Sequence, residues 1–165
     1  AETIPGWMTA RELRWLATIA EHRTVIFEIG SWRGRSTRAL VNMCQGIVYV
    51  VENWIGESGT PVLNLRQEFT NEFRYEILVN KLEILDKPSP DAAEDFYTGY
   101  ADMVFLDGNH EYEAVKRDIT AWLKILKDGG LLCGHDYWLD GVNKAVKELL
   151  PNHTRMIDSI WMVEK

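Results

Sequence analysis

Two cysteines in 165 residues, Cys44 and Cys133, are too few for a disulfide framework. They fall in an expected helix and an expected strand and read as reduced core residues of a cytoplasmic protein. Long hydrophobic runs are missing as well. No apolar stretch approaches the roughly 20 residues of a membrane span, and no secretory signal is apparent, so no membrane partner is expected. Positive charge is scarce: 18 Lys and Arg against 25 Asp and Glu leave a net charge of −7. That balance argues against nucleic-acid binders, which neutralise many phosphates with Lys and Arg. Low-complexity and disorder-like segments are absent too. What remains is a single globular domain over residues 1–165, long enough for a proper core. Its expected partner is a small molecule, and a homo-oligomer is compatible. Ala1 in place of Met reads as a trimmed chain, which leaves room for a preceding segment.

The informative stretch is Val25-Ile26-Phe27-Glu28-Ile29-Gly30-Ser31-Trp32-Arg33-Gly34-Arg35-Ser36-Thr37. An unbroken apolar, β-branched run predicts a strand buried on both faces. It closes on an acidic residue and on Gly30, which turns without a Cβ penalty. Gly34 and Ser36-Thr37 then open an apolar-periodic helix over Arg38–Cys44. Strand, glycine turn and helix N-terminus make a cradle whose amides face a polar ligand. A dinucleotide fingerprint needs a glycine where Trp32 stands, so a pyrophosphate would clash. The basic cluster Arg33, Arg35 and Arg38 beside the loop reads as solvated helix-start residues or as a grip for an acidic substrate group.

Taken in order, Thr9-Ala10-Arg11-Glu12 is a capping box opening a helix to about His22. Ile47–Val51 is a second buried strand ending on Glu52-Asn53-Trp54. A carboxylate at that tip, about 20 residues past the glycines, accepts ribose hydroxyls. A loop follows from Ile55 to Thr60, then an irregular helix over Val62–Leu78 that reads as a crossover helix or as part of a substrate lid. Leu82–Leu85 is a short third strand and Asp91–Phe96 a brief helix capped by Ser89 or Asp91. Met103–Leu106 leads into Asp107-Gly108-Asn109-His110. The next helix stops at Asp128-Gly129-Gly130. Leu131–Cys133 leads into Gly134-His135-Asp136-Tyr137. A last helix spans Gly141–Leu150, and the tail reads as a hairpin around Asp158-Ser159. The alternation predicts an α/β, doubly wound, Rossmann-like sheet, mostly parallel, with a C-terminal antiparallel hairpin.

Asp107, His110, His135 and Asp136 stand at the carboxyl ends of two strands expected to be neighbours, where open α/β sheets bind ligands. Two carboxylates in one crevice repel unless a proton or a divalent metal intervenes. A metal there would acidify a substrate hydroxyl, and His110 suits the role of general base at neutral pH. His135 suits a softer ion such as Mn²⁺ better than Mg²⁺. It reads alternatively as a residue behind the metal, or as an acid–base partner with no metal. Trp32, Trp54 and Trp138 are expected to ring the ligand, while Trp15, Trp122 and Trp161 fit apolar faces.

Glu28-x-Gly30-x-x-x-Gly34 resembles motif I of the class I S-adenosylmethionine-dependent methyltransferases. With Glu52-Asn53-Trp54, Asp107-Gly108-Asn109-His110 and Gly129-Gly130 through His135-Asp136, the chain resembles the methyltransferase 24 family. That group includes macrolide-sugar and cephalosporin-pathway O-methyltransferases. The resemblance implies S-adenosylmethionine along Glu28, Gly30, Ser31, Gly34, Ser36, Glu52, Asn53, Trp54, Ser89 and Asp107. It further implies metal ligands Asp107 and Asp136, with His135 as a third candidate, and catalysis by His110 with Asp107 and His135. The expected reaction is metal-assisted O-methylation of a small metabolite. Competing readings are a non-catalytic cofactor-binding subunit and a nucleotide- or NAD-binding enzyme.

Overall fold

The computed structural model describes residues 1–55 and 62–165, so the loop expected from Ile55 to Thr60 lies, apart from Ile55, outside the described residues. In chain order the elements are α1 (Ala10–Ala20), β1 (Val25–Ile29), α2 (Arg35–Met43), β2 (Ile47–Val51), α3 (Leu65–Glu72), α4 (Arg74–Leu78) and β3 (Leu82–Leu85). There follow α5 (Ser89–Ala93), β4 (Ala101–Leu106), α6 (Tyr112–Ile125), β5 (Leu126–Gly134), α7 (Asp140–Leu149), β6 (Thr154–Arg155) and β7 (Trp161–Glu164). The strands form one seven-stranded sheet in the order β3-β2-β1-β4-β5-β7-β6. The first five are mutually parallel, and β7 pairs antiparallel with both β5 and β6. The expected α/β sheet with a closing antiparallel pair is what the chain adopts.

Side-chain alternation sorts the strands between two cores. Ile26, Val48, Val50, Met103, Phe105 and Cys133 face the side covered by α1, α2 and α3. Phe27, Tyr49, Val51, Val104, Leu132 and Trp161 face α5, α6 and α7. The same period of two puts Glu28 within β1 on the α1–α2 side and, continued past the ends of β2, β4 and β5, adds Glu52, Asp107 and His135 to it. The topology therefore lines up four polar residues along one edge before any side chain is considered.

Four local expectations differ from the structure. The helix expected over Val62–Leu78 is two, broken at Phe73, whose φ of −106° and ψ of 19° leave the helical region. Phe73 is buried there, its ring 4.6 Å from that of Phe69, so packing sets the break. Helix α2 begins at Arg35 rather than Arg38, because Gly34 at φ +88° turns the chain early. Helix α5 starts at Ser89 behind Pro88, not behind Ser89 or Asp91. Asp128-Gly129-Gly130 does not stop α6; it lies within β5, where the register to β4 shifts between Ala101 and Met103. Gly129 at φ +74° donates to the Lys165 carbonyl, and the Lys165 N–H returns to Gly130. Both cysteines are buried and unpaired.

Candidate active site

The glycine turn joins the ends of β1 and β4. Gly30 has φ +83°, and a Cβ there would lie 2.4 Å from the Asp107 carbonyl oxygen and 2.6 Å from Gly108 Cα. Only glycine lets the two strand ends approach this closely. Gly34 is excluded from substitution for another reason: a Cβ would meet Phe73 at 2.3 Å and Phe69 at 2.9 Å. Its glycine thus serves packing as well as the turn. Between them Trp32 adopts φ +46°, uncommon for a bulky residue. Its ring lies 4.4 Å from that of Trp7, which is 77% exposed.

Glu28 is fully buried. It accepts from the Thr37 hydroxyl through Oε2, while among the described residues Oε1 and the buried Ser31 Oγ have no hydrogen-bond partner. Burial pushes the Glu28 pKa up to about 8, against the pull of the Ser36 and Thr37 hydroxyls. The carboxyl is therefore largely protonated at neutral pH. Unsatisfied buried oxygens in a cradle of this kind suit a ligand that brings hydrogen-bonding groups of its own.

Glu52 binds backbone on both sides. Oε2 accepts from the N–H groups of Ser31 (3.0 Å) and Trp32 (3.1 Å), and Oε1 from those of Asn53 (3.0 Å) and Trp54 (3.1 Å). It clamps the glycine turn to the tip of β2. A ribose on this carboxylate would share it with amides already there. Asn53 accepts from the Ile55 N–H through Oδ1. Trp54, expected to ring the ligand, is buried in the core beside Phe69, with its indole donating to Asp86 at 2.5 Å. Ser89, also expected at the cofactor, donates to Asp118 (2.6 Å) and accepts from the Trp122 indole (2.9 Å). Burial raises the pKa of Asp118 to about 6.

At the β4–β5 edge the expected residues do meet. His110 Nε2 lies 2.9 Å from Asp136 Oδ2. His135 Nδ1 lies 3.3 Å from Asp136 Oδ1 and 3.5 Å from Asp107 Oδ1. Its other nitrogen, Nε2, lies 3.2 Å from Glu12 Oε1. Burial pulls the His135 pKa down, but the contacts with Asp107 and Asp136 outweigh it and push it up to about 11. Burial opposes ionisation of Asp136 too, yet the two imidazoles hold its pKa well below the usual range. Burial raises that of Asp107. A protonated imidazole between carboxylates supplies the positive charge that neither strand-end motif has in Lys or Arg. Among the described residues, Asp107, His110 and Asp136 each offer a ligand atom within 4.8 Å of the others, and His135 Nδ1 lies beside the same two aspartates. A cavity of about 20 Å³ lies against Asp107, His110 and His135, lined also by Asp118 and Trp161.

The arginines beside the loop are committed elsewhere. Arg33 pairs with Glu68, and Arg38 with Glu72 and Glu76. Arg35 donates to the carbonyls of Glu2, Ile4 and Met8, pinning residues 1–8 over the start of α2. Glu12 is the site residue that sequence reasoning missed. Its capping-box role was legible; its contact with His135, 123 residues away, was not.

A methyltransferase domain model matches residues 27–137, from the first strand through the His135-Asp136 turn. The chain belongs to this methyltransferase domain family. Glu28, Gly30, Gly34, Glu52, Asp107, His110, His135 and Asp136 all lie inside the match, and Glu12 lies outside it. The family is the class I, S-adenosylmethionine-dependent one that the glycine motif resembles. No curated protein matches the chain in sequence. Solved structures share the fold at low identity. One is a Staphylococcus aureus protein assigned as a caffeoyl-CoA O-methyltransferase, with a TM-score of 0.74 and 16% identity over 99% of this chain and 87% of that one. An O-methyltransferase from Bacillus cereus in complex with SAH gives 0.72 and 16% over 99% and 86%. Precorrin 8w decarboxylase from Methanobacterium thermoautotrophicum gives 0.68 and 14% over 100% and 90%. The last shows that this fold alone does not name the reaction.

Proposed function

We propose that this methyltransferase domain moves the methyl group of S-adenosylmethionine to a hydroxyl of a small molecule, with His110 as general base. One observation carries the reading. Gly30 touches the Asp107 carbonyl, so the cofactor turn and the acid–imidazole cluster meet at one point of the sheet edge. The cofactor sits along Glu28, Gly30, Ser31, Gly34 and Glu52 in this reading. Ser36, Asn53 and Asp107 border it, and Trp54 and Ser89 support it from behind. The acceptor hydroxyl gives its proton to His110, whose ring is oriented by Asp136. The oxygen attacks the sulfonium methyl, the C–S bond breaks, and its electron pair stays on sulfur, leaving S-adenosylhomocysteine.

The carboxylates of Asp107 and Asp136 would hold a divalent ion between them, with the basic lone pair of His110 kept for the acceptor proton. When bound, such an ion supplies polarisation of the acceptor oxygen. His135 orients the two aspartates in either case. The commitment of Arg33, Arg35 and Arg38 to internal partners favours a neutral acceptor over one with a phosphate or carboxylate handle. The net charge of −7 likewise favours a small molecule over nucleic acid. Among the described residues no helix is long and apolar enough to cross a membrane. Two buried thiols suit the reducing cytoplasm.

The test is calorimetry with S-adenosylhomocysteine and with NAD, followed by transfer of labelled methyl to a panel of neutral polyols, sugars and phenols. Binding of S-adenosylhomocysteine and label in an ether product are expected. Binding of NAD alone would overturn the reading. Mn²⁺ titration monitored by electron paramagnetic resonance tests the metal separately.

A further inference from the structure

We infer that Glu12 is a positioning residue for methyl transfer, holding His135 so that Asp107 and Asp136 keep His110 in place. The inference rests on the acid–base reading above.

Glu12 lies in the first turn of α1 and is 2% exposed. Its Oε2 completes the capping box by accepting from the Thr9 N–H at 2.8 Å. A capping box needs no more than that one oxygen, and it forms on helix surfaces open to water. The cap therefore does not account for a buried carboxylate, which is costly unless fully partnered. The partners of the other oxygen do. Oε1 accepts from the Ser159 N–H (3.0 Å) and hydroxyl (3.2 Å) and faces His135 Nε2 at 3.2 Å.

From there the contacts run to the reacting edge without a gap. His135 Nδ1 reaches Asp136, and Asp136 reaches His110 Nε2 at 2.9 Å. Asp136 sits at φ +56°, a left-handed conformation that needs outside support in a residue with a side chain. One end of the His135 ring is tied to Glu12 and the other to the two aspartates. Without the Glu12 tie the ring can turn about its own bond and leave Asp136 unsupported. Glutamine cannot replace Glu12, because a single carbonyl oxygen cannot accept from both Thr9 and the Ser159–His135 pair.

Two variants and the wild-type enzyme test this. Thr9→Ala removes the hydroxyl half of the cap and leaves the Glu12 carboxylate facing His135; Glu12→Gln turns one of the two acceptor oxygens into a donor. Both are expected to melt lower than wild type and to bind S-adenosylhomocysteine as tightly. Turnover at saturation should fall about 10–100-fold in Glu12→Gln alone, with the KM for S-adenosylmethionine unchanged. In ¹⁵N spectra the ring signals of His135 and His110 should move in Glu12→Gln and stay in place in Thr9→Ala. In wild type the His135 Nε2–H should exchange slowly, a measurement that requires no variant to fold. Equal turnover losses in the two variants, unmoved His110 signals, or fast exchange of that proton would each overturn the inference. A wild-type enzyme that binds S-adenosylhomocysteine, with His110→Ala turning over equally fast, would instead remove the acid–base reading. The ring spectra would still decide what Glu12 holds.

Discussion

At the β1–β2 end of the site Glu52 is held by four backbone N–H groups, from Ser31, Trp32, Asn53 and Trp54. At the β4–β5 end His135 is held by three carboxylates, from Glu12, Asp107 and Asp136. The first arrangement comes from two strand tips that follow one another in the chain, and it depends on backbone geometry. The second depends on side chains, one of them from the far side of the sequence. Backbone clamps tolerate much of their surroundings, whereas a side-chain cluster fails when any member turns. In the proposed reading the cofactor end is the preformed half of the site, and the acid–imidazole end is the half where substitutions act on chemistry.

The sharpest way to break this contrast is His110→Ala. The variant should fold and bind S-adenosylhomocysteine normally while losing about 10²–10⁴-fold in turnover, the usual worth of a positioned base. Wild-type turnover across the pH range would take His110 out of the chemistry.

Next in size is a pH effect at the preformed end. The Glu28 pKa is about 8 in the fold against an ordinary value of 4.5. A carboxyl raised in this way contributes stability that is fully present below about pH 4.5 and is lost as pH rises towards 8, by at most about 1.4 kcal/mol per pH unit. Urea unfolding of wild type and Glu28→Gln at pH 5 and pH 8 should show the wild type losing more. Parallel curves would mean that the carboxyl is ionised in the fold.

Glu52→Ala should weaken S-adenosylhomocysteine binding by about 1.5–3 kcal/mol, as expected for losing a charged acceptor. It should also loosen the turn, which hydrogen exchange at Ser31 and Trp32 would report. Exchange that speeds up with unchanged affinity would mean that the clamp is the only role of Glu52. Gly34→Ala is the smallest of the four, about 1–3 kcal/mol of stability from a strained φ and a clash with Phe73 and Phe69. Its expected signature is a lower melting temperature with residual cofactor binding. Complete loss of binding with an unchanged melting temperature would show that the glycine is kept for the ligand alone.

Much of this molecule follows from periodicity in the chain. Unbroken apolar runs and the glycines after them specify the parallel strands and the order of their turns, because burial on both faces leaves no other use for such runs. Alternation then decides that Glu28, Glu52, Asp107 and His135 share one side of the sheet. Other features had no local signal. The break at Phe73 exists because its ring fills the space under Gly34. Gly129-Gly130 reads as a helix stop, yet it is a kink in a strand closed by the chain end at Lys165. Trp54 and Ser89 sit where a ligand would be expected, and packing turns them inward to Asp86 and to Asp118. The arginines follow the same rule, since a basic cluster in sequence says nothing of the glutamates that α3 and α4 bring to it. The sheet, and which strand-end residues share one side of it, are legible in the chain, because both repeat with the period of a strand. That Glu12 faces His135, and that His135 lies among the carboxylates of Glu12, Asp107 and Asp136, is settled in three dimensions alone. Those contacts depend on where α1 crosses the sheet, and no spacing along the chain carries that position.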